Sequence, residues 1–188
     1  MDRANEGHVL MTATFSGTML RELTELLGAN IVTVPPDELA LIPSQRGKAR
    51  YFHAVDAQLS PEAILSKHNV RSIAICNVVE RAQSLYQALK NHPKIGDTEV
   101  ILLHSRFLQE DRDRKEELVC KEFGPNPGLR QAWSMILVAT QVVEVGLNIT
   151  CENLHSEIAP ASSLFQRAGR CARFAGEHGD VYVYRTPL

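Results

Sequence analysis

The sequence predicts an α/β fold in which a doubly wound parallel sheet is flanked by helices on both faces. Short apolar runs typical of strands alternate with amphipathic helical stretches along the chain, which favours repeated strand–helix–strand units. The central strand candidates, 72–76 and 135–139, are continuously apolar, as parallel strands buried on both faces are. The length of 188 residues suffices for one domain with a core and is short for two.

The strands are predicted where short β-type runs occur between helical stretches. Seven such runs stand at 9–11, 50–55, 72–76, 99–103, 135–139, 154–158 and 181–184. Ligands of such a sheet bind beyond the carboxyl ends of its strands. We therefore expect functional side chains in the loops that directly follow the strands.

Capping signals predict the helices. Ser16 is an N-cap and Gly28 a stop for a first helix, and Ser60 caps a short second one. Asn77 and Glu80 have the spacing of a capping pair that opens a third helix. A charged helix is predicted over 111–123, and a last helix over 162–174.

Composition and charge limit the function classes. Apolar residues make up 44% of the chain and charged residues 22%, an ordinary globular composition. The formal net charge of −2 excludes a protein that is basic over its whole surface, so a nucleic-acid site would be a local patch. No apolar run approaches the roughly 20 residues of a membrane span, and no targeting peptide is visible. With no secretory leader, CxxC pair or zinc spacing, the cysteines predict reduced thiols in a cytoplasmic protein without a metal site.

The segment ATQVVEVGLNIT at 139–150 begins where a buried strand ends. Thr140 presents a hydroxyl and backbone amides, Gly146 permits close approach or positive φ, and Asn148 offers an amide to a sugar hydroxyl. A strand followed by a bent connection, with Gly146 as turn punctuation, explains the same residues. Both interpretations stay open on this segment alone.

The segment VILLHSRFLQEDR at 100–112 also follows a buried strand with polar residues. His104, Ser105 and Arg106 are residue types that contact phosphate groups. The alternative is a polar loop that caps the next helix.

The segment LMTATFSGTML at 10–20 places Thr12 and Thr14 at the end of a strand candidate. Its alternative is a pair of β-forming residues followed by an N-cap. On its own this segment decides nothing.

The segment QRAGRCAR concentrates three arginines. On the predicted helix, Arg167, Arg170 and Arg173 spread over about a third of the circumference, since residues three apart turn through about 300°. Arginine stays charged and forks onto phosphate oxygens, so this ridge predicts an anion in front of it. A solvated basic helix end is the alternative, but it does not account for Gln166 or Gly169.

In order, the segments TAT, HSRF…DR, VATQVVEVGLNI and QRAGRCAR resemble motifs III, IV, V and VI of the second RecA-like lobe of superfamily 2 helicases. MTATFS, LLHSRF…DR, VATQVVE and LFQRAGR are similar to the helicase of type I CRISPR systems, a helicase-nuclease recruited to an invader's DNA after the guide RNA has paired. The resemblance spans about residues 9–184. It implies a RecA-like (P-loop NTPase type) parallel sheet and an ATP-dependent DNA helicase of antiviral defence.

The resemblance implies a role for each motif VI residue. Arg170 and Arg173 match the arginine-finger positions, which reach ATP held mainly by the first lobe. There they would neutralise charge that develops on the transferred phosphoryl group. Gln166 and Arg167 match nucleotide-binding positions that line the same cleft.

The other motifs are divided between nucleotide and nucleic acid. Gly146 and Asn148 match the nucleotide side of motif V, and Thr140 matches a position on the nucleic-acid backbone. The family usually carries aspartate at the Asn148 position, and asparagine accepts a hydrogen bond without the charge. The resemblance assigns contacts with single-stranded DNA to His104, Ser105 and Arg106. It assigns the coupling of hydrolysis to strand movement to Thr12 and Thr14.

Several motifs of a complete motor are absent from the sequence. There is no GxxxxGK[ST] phosphate loop, no Asp-Glu box after a strand and no His/Asp cluster like the family's nuclease site. We therefore expect half of a motor, either part of a longer protein or the product of a split gene. Residues 1–34 would end the first lobe's motif III segment and form a linking helix, 35–48 would be a linker, and 49–188 the second lobe.

The resemblance also implies the cofactors and partners. ATP and Mg²⁺ would be bound only together with the first lobe, and this chain alone would bind no cofactor and hydrolyse no ATP. The implied partners are the first RecA-like lobe, single-stranded DNA, the CRISPR guide-RNA surveillance complex and a nuclease domain, with no membrane.

Two other functions stay open. Another superfamily 2 translocase, acting on RNA or in repair, would share the fold and the motif order. A degenerate lobe that only binds protein or nucleic acid fits Asn148 and the missing first lobe, but not the intact Gln166, Arg170 and Arg173. A flavodoxin-like nucleotide binder leaves the arginines unexplained.

Overall fold

The structure is a computed structural model that describes residues 15–39, 41–42 and 47–186. The chain divides into two compact units, Met1–Val34 and Pro35–Leu188. The strand predicted at 9–11 lies outside the described residues.

The first unit contains helix α1, Gly17–Leu27. The Ser16 hydroxyl accepts a hydrogen bond from the backbone N–H of Met19, as an N-cap does. Gly28 ends the helix with a φ of 58°, a left-handed conformation that glycine adopts without strain. The predicted start and stop of this helix are confirmed.

The second unit is built on a six-stranded sheet in which all neighbouring strands run parallel. The strands are β1 (Ala49–Gln58), β2 (Arg71–Ile75), β3 (Glu99–Leu103), β4 (Met135–Ala139), β5 (Asn153–Glu157) and β6 (His178–Arg185). Their order across the sheet is β1-β6-β5-β2-β4-β3, so β5, β2 and β4 lie side by side. The predicted parallel α/β sheet is confirmed.

Helices connect these strands. Within the described part of the second unit they are α2 (Pro36–Leu39), α3 (Pro61–Leu65), α4 (Val79–Lys90), α5 (Gln109–Glu122) and α6 (Ala161–Ala168). Two 3₁₀ turns follow α5 and β4, at Pro127–Leu129 and Gln141–Val143. The N-cap predicted for α3 is confirmed, because the Ser60 hydroxyl accepts from the N–H of Ala63 at 3.2 Å.

Two apolar cores form because successive side chains of a strand point to opposite faces. Ile73 of β2 belongs to a core with Val119 of α5, whereas the next residue, Ala74, belongs to a core with Leu89 of α4. Helices therefore cover both faces of the sheet. Each fully buried Ile or Leu contributes about 1.5–3 kcal/mol to folding.

The last helix is shorter than the predicted 162–174. α6 ends at Ala168, and Ala172 has a φ of 45°, a left-handed conformation that an α-helix does not contain. Arg170 and Arg173 therefore lie beyond α6. The prediction of a single helical ridge of arginines is wrong.

The capping pair predicted for Asn77 and Glu80 is also wrong. Val78 precedes α4 and makes no side-chain cap. The Glu80 carboxylate pairs with Arg106. Asn77 turns toward the end of β5 and donates its side-chain Nδ2 to the Ile158 carbonyl at 2.8 Å.

A buried ion pair lies at the amino end of the sheet. Arg71 is 2% exposed, and it donates Nη2 to the Glu122 carboxylate at 3.0 Å and Nε to the Glu122 carbonyl at 2.9 Å. Its other N–H groups donate to the carbonyls of Val70, Ala132 and Trp133. All five donor hydrogens of this guanidinium thus have acceptors inside the protein.

A close backbone approach joins β6 to the segment after α6. Cys151 and Cys171 form an isolated parallel bridge beside the sheet. A Cβ atom at Gly179 would lie 2.5 Å from Cys171 Sγ and 2.6 Å from the Glu152 carbonyl oxygen, both shorter than any normal contact. Only glycine fits this position without moving its neighbours.

Candidate nucleotide and nucleic-acid site

Three neighbouring strands bring polar side chains to one edge of the sheet. β5 ends at Glu157, β2 is followed by Asn77, and β4 is followed by the turn that leads to Glu144. Because the carboxyl ends of parallel strands meet at one edge, residues far apart in the sequence become neighbours. α6 then places Arg167 over the same edge.

Arg167 lies at the centre of this edge and is 1% exposed. Its Nε donates to Glu144 Oε1 at 2.8 Å. Its Nη1 donates to Asn77 Oδ1 at 3.0 Å, to Ser156 Oγ at 3.0 Å and to the Glu157 carbonyl at 3.2 Å. These hydrogen bonds hold Arg167 among the ends of the strands, and its place in a nucleotide-binding cleft stays a prediction.

Arg170 is also buried, with 6% of its surface exposed, but its partners are neutral. Nε donates to the Val143 carbonyl at 2.7 Å, and Nη2 donates to the Glu144 carbonyl at 2.6 Å. Burial lowers the pKa of Arg170, and the charge of Arg173 lowers it further, although an arginine stays protonated at any relevant pH. No residue in the described part of the chain accepts a hydrogen bond from Nη1 or pairs its charge with this guanidinium.

Arg173 is partly exposed and lies against motif V. Its Nε donates to Asn148 Oδ1 at 2.7 Å, and its backbone N–H donates to Thr150 Oγ1 at 3.1 Å. Asn148 is exposed, and Gly146, two residues earlier, has a φ of 88°. The structure thus brings the predicted residues Arg173 and Asn148 together. Because Asn148 is an amide, it orients Arg173 without neutralising it.

The loop after β3 contains three predicted DNA contacts, of which one is buried and two are exposed. His104 is 4% exposed, stacks on Phe107 with ring centroids 4.1 Å apart, and accepts the Arg106 N–H at Nδ1 over 3.2 Å. Burial lowers the pKa of His104, so its ring is neutral near pH 7. The ring packs inside the loop and shapes it, and its contact with DNA stays a prediction. Ser105 and Arg106 are exposed.

The remaining predicted site residues differ in placement. Thr140 is 2% exposed, and its backbone N–H donates to the Leu103 carbonyl at 3.3 Å, so it begins the turn after β4 from a buried position. Gln166 is partly exposed on α6. Thr12 and Thr14 lie outside the described residues.

The described residues contain no metal-binding cluster. Among residues 15–39, 41–42 and 47–186, no group of three or more His, Cys, Asp and Glu side chains could hold a metal ion. No helix in the same residues has the length and apolar content needed to cross a bilayer. The cysteines are free thiols.

A family model shows which known proteins this chain is similar to. The model for the C-terminal region of the CRISPR-associated nuclease/helicase Cas3 matches residues 68–176, more than half of the chain. The chain belongs to the Cas3 family. This confirms the resemblance drawn from the motifs.

Individual Cas3 relatives agree with the family model. The CRISPR-associated endonuclease/helicase Cas3 of Escherichia coli (strain K12) is 46% identical over 101 residues, which cover 53% of this chain and 11% of that protein. The crystal structure of T. fusca Cas3-AMPPNP matches with a TM-score of 0.66 and 25% identity, over 88% of this chain and 20% of that one. A chain in a CRISPR RNA-guided surveillance complex, pre-nicking, matches with a TM-score of 0.59 and 28% identity, over 88% of this chain and 21% of that one.

These matches define which part of Cas3 the chain represents. It corresponds to the RecA-like C-terminal helicase lobe. It spans about a tenth of the length of the E. coli relative and a fifth of the T. fusca chain, at 11% and 20%.

The sequence prediction gave no site role to four residues at this edge of the sheet, Asn77, Arg81, Glu144 and Glu157. Arg81 of α4 donates Nε and Nη2 to the two carboxylate oxygens of Glu157, at 2.6 and 2.8 Å, and Glu157 in turn accepts from the backbone of Asn77. Glu144 was quoted within its motif but given no role. Two signals were available: a glutamate inside an apolar strand candidate, and an asparagine just beyond another. Each signal draws attention to one polar residue, and neither identifies the hydrogen-bond partners of that residue.

Proposed function

We propose that this Cas3-family chain is the second RecA-like lobe of an ATP-dependent superfamily 2 DNA helicase or translocase in CRISPR antiviral defence. Arg170 and Arg173 are its arginine fingers, and the lobe also grips the backbone of single-stranded DNA. In this proposal the whole protein is a hydrolase that couples ATP turnover to movement along DNA.

The observation that carries the proposal is a pair of arginines held in place without neutralisation. Arg170 is fixed by two backbone carbonyls and Arg173 by the Asn148 amide, and neither forms an ion pair with a described residue. Arg167, three residues earlier, pairs with Glu144. Fixed, uncompensated positive charges stabilise negative charge that develops in a transition state, because no reorganisation is needed when it forms.

The donor set fits the phosphates of ATP. Nη1 of Arg170 and Nη2 of Arg173 have no acceptor among the described residues, so each can donate to a phosphate oxygen. Gly146 and Asn148 would lie on the nucleoside side, with Gln166 beside the phosphates. Bound ATP would supply the phosphoryl group, and Mg²⁺ would be held by the first lobe, since the described residues offer no cluster for it.

The lobe would hydrolyse ATP only with a first RecA-like lobe, because the sequence has no phosphate loop. The test compares the purified chain, a first Cas3 lobe, and the two together, with and without single-stranded DNA. We expect turnover only for the pair, and more of it with DNA. Robust ATPase activity of the 188-residue chain alone would overturn this part of the proposal.

The DNA grip is proposed for the exposed end of β3 and for the turn after β4. Arg106 and Ser105 are exposed there, and Thr140 begins the neighbouring turn. Arg106→Ala should weaken binding of single-stranded DNA for all sequences alike and lower the salt dependence by about one released counterion. Unchanged binding over a salt series would remove Arg106 from the grip.

The wider assembly follows from the same proposal. The match to a chain in a CRISPR RNA-guided surveillance complex supports partnership with a guide-RNA complex, and the Cas3 names support a nuclease domain in the full protein. We place the protein in the cytoplasm, where free thiols stay reduced.

A non-enzymatic nucleic-acid or protein-binding lobe is the rival function. The residue at position 148 favours it, because asparagine stands where the family usually has aspartate. The experiment on the paired lobes separates the two: binding of DNA with no ATP turnover would select the rival.

A further inference from the structure

We propose that Asn77, Arg81 and Glu157 are positioning residues for the arginine finger Arg170. They act through a buried chain of hydrogen bonds that runs from α4 across the ends of β5, β2 and β4. The inference deepens the proposed function and rests on it for the catalytic consequence, although the positioning itself is testable without ATP.

The chain begins at the fork between Arg81 and Glu157. The side chain of Glu157 is 3% exposed, and both of its oxygens accept from Arg81, at 2.6 and 2.8 Å. The hydrogen bond to Glu157 raises the pKa of Arg81. Paired hydrogen bonds between a guanidinium and a carboxylate fix orientation as well as distance.

Glu157 then fixes Asn77. One Glu157 oxygen also accepts the backbone N–H of Asn77 at 2.6 Å, and Asn77 Nδ2 donates to the Ile158 carbonyl at 2.8 Å. Gln141 donates to the Asn77 carbonyl at 3.1 Å from the turn after β4. The Asn77 side chain is thereby held with its oxygen toward Arg167.

Arg167 passes the constraint to the finger. Its Nη1 donates to Asn77 Oδ1 at 3.0 Å, which orients the guanidinium, and its Nε donates to the Glu144 carboxylate at 2.8 Å. The backbone carbonyl of the same Glu144 accepts from Arg170 at 2.6 Å. One residue, Glu144, thus connects the buried chain to the finger by its side chain on one side and its backbone on the other.

The charges within this chain of hydrogen bonds explain why it can lie beside Arg170 without neutralising it. Arg81 with Glu157, and Arg167 with Glu144, are two neutral pairs. Every carboxylate in the chain is therefore already taken up by its own arginine. Among the described residues, Arg170 donates only to carbonyl oxygens, so its charge stays available to an anion.

The first test measures positioning on the 188-residue chain itself, by NMR of arginine side-chain Nε–H groups. Asn77→Ala and Glu157→Gln should speed hydrogen exchange at Arg170 Nε about tenfold or more, since the Glu144 carbonyl that orients the same guanidinium through Nη2 loses its support. Arg71 Nε, at the far end of the sheet, should stay protected, which shows that the variants remain folded. Unchanged exchange at Arg170 in both variants would overturn the inference.

Two further variants make the test independent of folding defects. Arg81→Lys keeps the charge but loses the fork, and it should loosen Arg170 in the same direction. Arg185→Lys is its control, because Arg185 makes an equally short 2.6 Å bond to Asp56 with both side chains exposed. Equal exchange rates at Arg170 in Arg81→Lys and Arg185→Lys would also count against the inference.

The second test uses the chain paired with a first lobe. Arg81→Lys should lower kcat for ATP about tenfold or more and change KM less than twofold, because misplacement of a finger acts on the transition state. Arg185→Lys should leave both constants unchanged. If the wild-type pair shows no turnover while the NMR result holds, the proposed function fails and the positioning chain stands. A normal kcat for Arg81→Lys in an active pair would overturn the catalytic part of the inference.

Discussion

Arg71 and Arg167 are both almost completely buried, 2% and 1% exposed, at opposite ends of the same sheet. Arg71 pairs with the Glu122 carboxylate and gives its remaining hydrogens to four carbonyls, so it closes a local gap among α5, the loop after it and β2. Arg167 pairs with Glu144 and binds the ends of β5 and β2. The two guanidiniums have the same burial and the same kind of carboxylate partner.

The difference between them lies in what their glutamates do next. The Glu122 carboxylate accepts the backbone N–H groups of Gln131 and Ala132, which ends its contacts within the same loop. Glu144 uses its backbone carbonyl to hold Arg170, which forms no ion pair with a described residue. Burial and ion pairing alone therefore do not distinguish a structural arginine from a functional one. On the proposed function, the distinction is whether the network leads to an arginine that has no ion pair among the described residues, as Arg170 has none.

The largest expected effect is on the uncompensated charge. Arg170→Ala should reduce ATP turnover of the paired lobes by about 10³–10⁵-fold, while ATP affinity changes much less. Steady-state kinetics and nucleotide binding measure the two quantities, with Arg185→Ala as a surface control. Retention of turnover within tenfold would contradict the finger assignment.

The next effect is on stability at the amino end. Arg71→Ala leaves the Glu122 carboxylate buried and unpaired, which should cost about 3–5 kcal/mol of unfolding free energy in urea titrations. Turnover per folded molecule should not change. A single-variant loss below 1 kcal/mol would mean that the pair is not structural.

Acidification should also act on the amino end. Burial and the nearby Arg71 lower the pKa of His68 from 6.5 to about 4, while His68 bonds to Ser72 and Ser134 at 2.7 Å. The unfolded chain therefore binds this proton at a higher pH than the folded chain. The stability contribution is complete above about pH 6.5 and is lost as the pH falls toward 4.

The size of this loss can be measured by urea unfolding at pH 7 and pH 5. Each such histidine should cost on the order of 1–2 kcal/mol at pH 5, and His155, with a pKa lowered to about 3, acts in the same direction. His68→Gln should flatten the pH dependence by its own share. Greater stability at pH 5 than at pH 7 would refute the sign.

The smallest effect sets the baseline for the comparison. Arg114 and Asp111 form an ion pair one turn apart on α5, at 2.7 Å, with side chains 74% and 47% exposed. Solvent screens such pairs, so Arg114→Ala should change the unfolding free energy by less than about 1 kcal/mol. A loss as large as that of Arg71→Ala would show that burial is not what separates these arginines.

The fold was predictable because its signals are local. Continuous apolar runs marked β2 and β4, and serine caps marked α1 and α3, since those signals depend on neighbours a few residues away. The parallel arrangement followed from the alternation of strands with helices.

The site was only partly predictable because its contacts are not local. Residue type and motif order selected the arginines of motif VI, Asn148 and the exposed Arg106 as candidates, and their roles stay predictions. The end of α6 was missed, since Arg170 turns away from the helix to carbonyls of another loop. Asn77 was assigned to a helix cap, because the residues around it in the sequence do not indicate that its partner is Arg167, 90 positions later.

Gly179 adds a constraint of another kind. It carries no chemistry, yet a single methyl group there would push directly on the residue that follows Arg170. A selection for DNA-dependent ATPase activity would therefore reject alanine at this position for a purely steric reason. Among related sequences, glycine at position 179 should be retained about as strictly as the arginine nine positions before it, and its retention would record a steric requirement.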